Sequence, residues 1–314
     1  MVKGLDVIAL GGNAILPKSG TGTIEEQRRL TSATMKQVAQ FILSGRNVVL
    51  THGNGPIVGN IVERNEAVKD KIPPMPLDIC GADSQGGIGY MIQQCLLNEL
   101  MAIGQKREVV SLVSQVIVSE DDGAFSNPTK PIGPFYTKEQ AEELKRVKGW
   151  EMREDSNRGY RRVVPSPRPL EIVELEVIKR LIDSGVIVVA VGGGGVPVIK
   201  KKGKLVGVEA VVDKDRAASV LAKMLGAERL IILTNVPVVY TGYGTEAQRA
   251  IERATVTEIK ELYKLGEFPA GSMGPKIEAA IDFLQTGGRE VIISEPTMLL
   301  EACNNGAGTH IYPE

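Results

Sequence analysis

The stretch Asp6-Val7-Ile8-Ala9-Leu10-Gly11-Gly12-Asn13-Ala14 decides how the rest of the chain is read. Apolar residues rich in β-formers run straight into two glycines and an asparagine, the pattern of a buried strand breaking into a loop stripped of bulky side chains. Glycine admits positive φ and close approach, so successive amides of such a loop can point at one phosphate oxygen. A lone Gly-Gly reads better as a plain strand-to-helix turn. Repetition changes that reading, because comparable breaks recur at Thr51-His52-Gly53-Asn54-Gly55-Pro56 and at Val191-Gly192-Gly193-Gly194-Gly195.

Working outward, Thr23-Ile24-Glu25-Glu26 has capping-box spacing and opens an amphipathic helix to about residue 44, closed by Gly45. Asn47-Val48-Val49-Leu50 follows as a second buried strand, so strand, helix and strand form a βαβ unit with a right-handed crossover and a parallel sheet. Periodicity predicts helices over 58–69 and 84–103, and a β-branched strand over 108–118. From 121 to 169 the chain is rich in charge and proline, with a charged helix over 138–148, which predicts a small lobe projecting over the site. The main pattern then resumes: a helix over 170–184, a strand over 186–191, and a hairpin of 196–199 with 205–208 whose lysine-rich tip reads as solvated. A helix N-capped by Asp213 runs to Gly226, a strand covers 230–233, and a helix lies around 257–264. Gly271-Ser272-Met273-Gly274-Pro275-Lys276 opens another helix with Pro275 at a favoured first position, and strands follow at 291–294 and 310–312.

Composition bounds the function. With 314 residues the chain forms one large domain or two tightly joined lobes. The 37 basic residues balance 38 acidic ones, so nothing draws the molecule as a whole to nucleic acid or acidic membranes, and an anion site has to be local. Apolar runs are short and broken, and the first residues lead into a strand rather than a cleaved leader. Cys80, Cys95 and Cys303 are too scattered for a disulfide framework or a Cys-x-x-Cys site, which points to a reducing cytoplasm. Only His52 and His310 occur, which argues against structural zinc and against His-based triads.

Ligands of an open parallel sheet bind beyond the carboxyl ends of its strands, where all these glycine loops must lie. Amides alone cannot offset the charge of a migrating phosphoryl group, so cationic side chains should reach the same edge. Lys214 and Lys276 fall in first helical turns, where a lysine opposes the helix dipole unless an anion is near. Lys130 is held between Pro128 and Pro131. Each also reads as a solvated surface lysine, and Asp215 reads equally as an organiser of lysines or as a helix-terminus carboxylate. His52 reads as a brace for its loop rather than a general base. Asn13 and Asn54 read as hydrogen-bond donors to bound oxygens or as turn formers. Gly-x-x-x-x-Gly-Lys-Ser/Thr, the protein-kinase signatures and a dinucleotide fingerprint are all missing.

Six motifs taken together, in order, resemble the carbamate kinase family of the amino acid kinase superfamily. They are residues 9–14, 51–56, Asn127-Pro128-Thr129-Lys130-Pro131, Gly192-Gly193-Gly194-Gly195-Val196-Pro197, Val212-Asp213-Lys214-Asp215, and Ala270-Gly271-Ser272-Met273-Gly274-Pro275-Lys276. The resemblance implies a three-layer αβα sandwich around a mainly parallel sheet with a small protruding subdomain. It also implies reversible phosphoryl transfer between MgATP and carbamate, with Mg2+ held mainly by phosphates, in a cytoplasmic homodimer serving arginine metabolism. Residues 1–120 and 170–195 would form the acceptor side, 121–169 the lid, and 196–314 the nucleotide side of a single domain. By the same resemblance Lys130, Lys214 and Lys276 surround the phosphoryl group and Asp215 organises them. Gly11, Gly12, Asn13, Gly53, Asn54, Gly193 and Gly194 hold acceptor and phosphate. Thr234, Asn235, Val238, Tyr240, Tyr243, Ser272, Met273 and Gly274 line the nucleotide site.

The superfamily usually carries a lysine where this chain has Ala9, and Lys130 from the lid matches the residue that replaces it in the carbamate kinase branch. Asn235 stands where relatives commonly have aspartate. The competing expectations are a kinase of another small carboxylate and a non-catalytic nucleotide-binding regulator on the same fold.

Overall fold

The structure is a computed structural model that describes residues 4–16, 22–155, 159–269 and 271–314; the side chain of Asn13, and Ala270 of the last motif, lie outside the described residues. Its centre is the strand Leu5–Leu10, buried at every residue. Leu5–Leu10 pairs in parallel with Asn47–His52 on one side and Arg229–Leu233 on the other, Ile8 facing Leu50 and Ile231. The eight-stranded sheet runs Arg253–Thr255, Thr309–Tyr312, Glu290–Ser294, Arg229–Leu233, Leu5–Leu10, Asn47–His52, Ile187–Val189, Val109–Ser111. Only the pairing of Thr309–Tyr312 with Glu290–Ser294 is antiparallel.

Alternate side chains of the central strand face opposite layers, which is why the sheet is apolar on both sides. Val7 and Ala9 enter a core shared with the helices Leu175–Asp183, Lys214–Leu225, Val256–Lys264 and Gly274–Gln285. Ile8 and Leu10 enter a second core with Ile24–Ile42, Leu77–Ala102 and Leu299–Asn305. The result is a three-layer αβα sandwich. Asp6 is fully buried at the far end of the central strand, with paired contacts to Arg46 and Arg229 that keep its charge from being orphaned.

The capping box is as expected: the Thr23 side chain accepts from Glu26 N at the start of Ile24–Ile42. Three expectations need correction. Residues 108–118 are not one strand. Val109–Ser111 ends the main sheet, and Gln115–Ile117 belongs to a second sheet with Val196–Lys201, Lys204–Gly207 and Glu171–Ile172. The chain turns the corner at buried Ser114, whose N–H donates to Gln85 Oε1 at 2.9 Å and whose carbonyl accepts from Val196 N at 2.9 Å. A β-branched run continues through the corner, so periodicity alone does not register it. Residues 170–184 likewise begin as the strand Glu171–Ile172, with the helix Leu175–Asp183 starting after Glu174 takes the Gln115 amide at 2.7 Å. The third long helix, Leu77–Ala102, starts seven residues before the predicted 84 because Pro76 sets its N-cap.

The proline-rich excursion folds apart from both of these sheets. Lys130–Tyr136, Tyr160–Val164 and Met152–Glu154 form a three-stranded antiparallel sheet with the helix Lys138–Lys148, itself capped by a Thr137/Gln140 box. This lobe packs through Ile132 and Val164 against Val58, Val62, Leu77, Cys80 and Val211.

Candidate active site

Asp213 terminates an extended segment and caps the helix Lys214–Leu225, its Oδ1 accepting from Asp215 N at 2.9 Å and Arg216 N at 3.3 Å. That cap fixes two carboxylates two residues apart at the carboxyl edge of the sheet. Asp215 bridges two of the predicted lysines: Lys214 Nζ lies 2.6 Å from Oδ1 and Lys276 Nζ 3.1 Å from Oδ2. Lys276 comes from the first turn of Gly274–Gln285 and also donates to Ser272 O at 3.1 Å. Lys130 enters from the lid and pairs with Asp213 Oδ2 at 2.5 Å. Three ammonium groups and two carboxylates therefore line one open cleft, together with Gly12, Gly53, Asn54 and Gly193.

The glycine loops explain how these elements come so close. Gly193, Gly194 and Gly195 all take positive φ, which L side chains adopt only under strain. A Cβ on Gly192 would lie 2.3 Å from His52 Nε2, on Gly193 2.2 Å from Asn54 Nδ2, and on Gly194 2.4 Å from Val212 O. The four-glycine turn is a spacer that lets the His52–Asn54 loop and the Val212–Asp215 segment converge. Gly11 has a similar task, since a Cβ there would lie 2.5 Å from Leu233 O.

A second cavity opens beside the first, lined by Thr234, Asn235, Val236, Tyr240, Tyr243, Phe268, Pro269, Ser272, Met273 and Lys276. Its walls are aromatic and apolar at one end, with the Tyr240 and Tyr243 rings 6.0 Å apart, and cationic at the other. Ser272 and Lys276 belong to both cavities.

A model of the amino acid kinase family matches residues 5–294. The carbamate kinase of Pyrococcus horikoshii is 49% identical over 309 residues, covering 98% of each chain. Among solved structures, a carbamate kinase from Giardia lamblia bound to citric acid superposes with a TM-score of 0.93 at 45% identity, and the same enzyme bound to AMP-PNP with 0.91, each covering 98% of both chains. The chain belongs to the carbamate kinases of the amino acid kinase family.

Within this family member the predicted residues sort unevenly. Lys130, Lys214, Lys276 and Asp215 meet, as do Gly12, Gly53, Asn54 and Gly193 around them. Several amides proposed for phosphate are already committed to the backbone: Gly11 N donates to Leu233 O at 2.8 Å, Gly53 N to Leu10 O at 3.0 Å, and Gly194 N to Val191 O at 3.1 Å. The Asn54 side chain donates to Ser84 Oγ at 2.8 Å. The loops thus act first as close-packed scaffolding, and the ammonium groups dominate the positive field. In the second cavity Thr234, Asn235, Tyr240, Tyr243, Ser272 and Met273 line the wall, whereas Val238 and Gly274 do not. Gly274 sits beneath it, its N–H on Pro269 O at 2.9 Å. Val236 falls within the stretch from Thr234 to Tyr243 expected along the nucleotide, whereas Phe268 and Pro269 take part without having been singled out, since no chemical signal marks an apolar wall in a sequence.

Asp213 is the residue that sequence reasoning undervalued. Its N-cap role was legible; its partnership with Lys130, 83 residues away, was not. Burial pushes the Asp213 carboxyl up, but Lys130, with Lys214 and Lys276 behind it, outweighs burial and holds the group well below the usual carboxylate range. Burial acts the same way on Asp215, and Lys214 and Lys276 again win, leaving it ionised. Burial pushes the Lys214 ammonium below its ordinary range against the pull of Asp215, while for Lys276 the carboxylates prevail over burial and raise it. His52 is lowered to about 4 by burial, with Nδ1 3.0 Å from Gly53 O, so it is neutral near pH 7 and braces its loop.

Proposed function

We propose that this chain catalyses reversible phosphoryl transfer between ATP and carbamate, giving ADP and carbamoyl phosphate. The observation that carries the reading is Lys276, whose ammonium group stands where the apolar-walled cavity opens into the lysine cleft. A nucleotide with its base among Tyr240, Tyr243, Phe268 and Met273 directs its phosphates toward Lys276, with Lys214 and Lys130 beyond. The likeness to an enzyme solved with AMP-PNP supports that direction.

The PO3 unit moves between an oxygen of ADP and an oxygen of carbamate. Both are anionic, so the barrier is set by charge and alignment rather than by a proton transfer, and a neutral buried His52 is compatible with that. Lys130, Lys214 and Lys276 supply cationic charge on several sides. Asp213 and Asp215 hold those ammonium groups in place before substrate arrives, which removes reorganisation from the reaction. The three positive charges exceed the two negative ones, so the cleft keeps a net attraction for the phosphoryl group. We read Mg2+ as arriving on the nucleotide, held mainly by its phosphates.

In the same reading, residues 1–120 and 170–195 serve the acceptor, 121–169 form the lid and 196–314 the nucleotide side of one domain. The lid shields the reacting atoms from water. We also place the chain in a cytoplasmic homodimer within arginine metabolism; its three free thiols support a reducing compartment. No helix among the described residues is long and apolar enough to cross a membrane. The test is a coupled assay of ATP formation from carbamoyl phosphate and MgADP. Steady turnover supports the proposal, and no ATP above a protein-free control overturns it.

A further inference from the structure

The lid touches the main body at a second point that the catalytic reading does not use. Gly59 lies in the helix Gly55–Ala67, which begins at the Asn54 loop and so is built directly onto the floor of the cleft. It is buried, and its backbone meets that of Gly133 on the lid strand Lys130–Tyr136. A Cβ on Gly59 would lie 2.2 Å from Gly133 Cα and 2.3 Å from Gly133 N. Carbon atoms at rest sit about 3.5–4.0 Å apart, so any side chain at 59 has to lift the lid by more than 1 Å.

Gly133 is held in that seat from its own side. Its φ is +73°, its carbonyl accepts from Arg161 Nε at 3.0 Å, and the pairing with Tyr160–Val164 shifts register between Ile132 and Tyr136. The strand is thus irregular where it meets the helix. On either side, Ile132 is buried against Val58 and Val62, and the Tyr136 hydroxyl donates to Glu63, one turn beyond Gly59.

Lys130 is three residues from Gly133 along an extended strand, and Gly59 is five residues from Asn54 along a helix. These spans are roughly 10 Å and 7.5 Å, and both are stiff. We infer that Gly59 is a positioning residue: its contact with Gly133 sets how far the lid descends, and so where the Lys130 ammonium stands over the transferred phosphoryl group. This inference rests on the phosphoryl-transfer reading above. An error of about 1 Å in such a group is enough to cost on the order of a hundredfold.

The experiment compares wild type, Gly59→Ala, Lys130→Ala and the double variant in ATP formation from carbamoyl phosphate and MgADP, with ADP binding and thermal unfolding measured on each. Alanine raises the helix propensity of Gly55–Ala67, so the variant is expected to fold. The expected result is a kcat lowered roughly tenfold to a hundredfold by Gly59→Ala with ADP affinity within about twofold of wild type. The same substitution should cost less than about threefold once Lys130 is already alanine. Undiminished kcat in Gly59→Ala, or an equal loss in both backgrounds, overturns the inference. A wild type that makes no ATP overturns the functional reading instead. Should Gly59→Ala not fold, Glu63→Gln combined with Tyr136→Phe loosens the same seat and is held to the same two criteria.

Discussion

Lys130 reaches Asp213 across 83 residues of sequence, its Nζ 2.5 Å from Oδ2, while Oδ1 of the same carboxylate accepts the amides of Asp215 and Arg216. One side chain thus ends a helix and holds the lid's cation. The helix amides stop the carboxylate from turning, so Lys130 meets a fixed partner rather than a mobile one.

Asparagine caps helices about as well as aspartate but carries no charge. Asp213→Asn should keep its urea midpoint near wild type and lose roughly tenfold to a hundredfold in kcat/KM for carbamoyl phosphate. Parallel activity assays and urea titrations check this. Intact activity in Asp213→Asn would show that the charge at 213 takes no part in the reaction.

Gly193 carries a different expectation. Alanine there is strained by φ +66° and would press its Cβ to 2.2 Å from Asn54 Nδ2. Gly193→Ala should destabilise the fold by about 2–4 kcal/mol and raise the KM of the acceptor more than that of ADP. Chemical denaturation and two substrate titrations measure both effects. A larger rise in KM for ADP would place the four-glycine turn elsewhere in the mechanism.

His52 makes stability depend on pH. Burial lowers its folded-state pKa to about 4, against an ordinary value of 6.5. The unfolded chain then binds the proton more readily, so this contribution is fully present above about pH 6.5 and is lost as pH falls toward 4. The loss is of order 3 kcal/mol. His52→Gln should flatten the slope of unfolding free energy between pH 6.5 and 4.5; an unchanged slope would mean that other groups set it.

Much of this was legible because local and global signals agree. The apolar run ending at Leu10 has to be a central strand, and the Thr23/Glu26 spacing has to start a helix. Lys214 and Lys276 were detectable through their awkward place against helix dipoles, a local signal with a long-range cause. Other features leave no local trace. The corner at Ser114 keeps a β-branched pattern while changing sheets, and Pro76 and Gly81 disguise the first turns of Leu77–Ala102. The amides of Gly11, Gly53 and Gly194 looked available for phosphate because the neighbouring carbonyls that take them come from other segments or other turns of the chain. Phe268 and Pro269 are ordinary apolar residues until the fold stands them opposite Tyr240.

In the reaction proposed above, Lys130, Lys214 and Lys276 act together on one phosphoryl group. The most direct test is the initial rate of ATP formation from carbamoyl phosphate and MgADP by the wild type and by the three single alanine variants. The expected result is an active wild type and a loss on the order of a hundredfold or more in kcat for each variant. Wild-type rates in any of the three would contradict it.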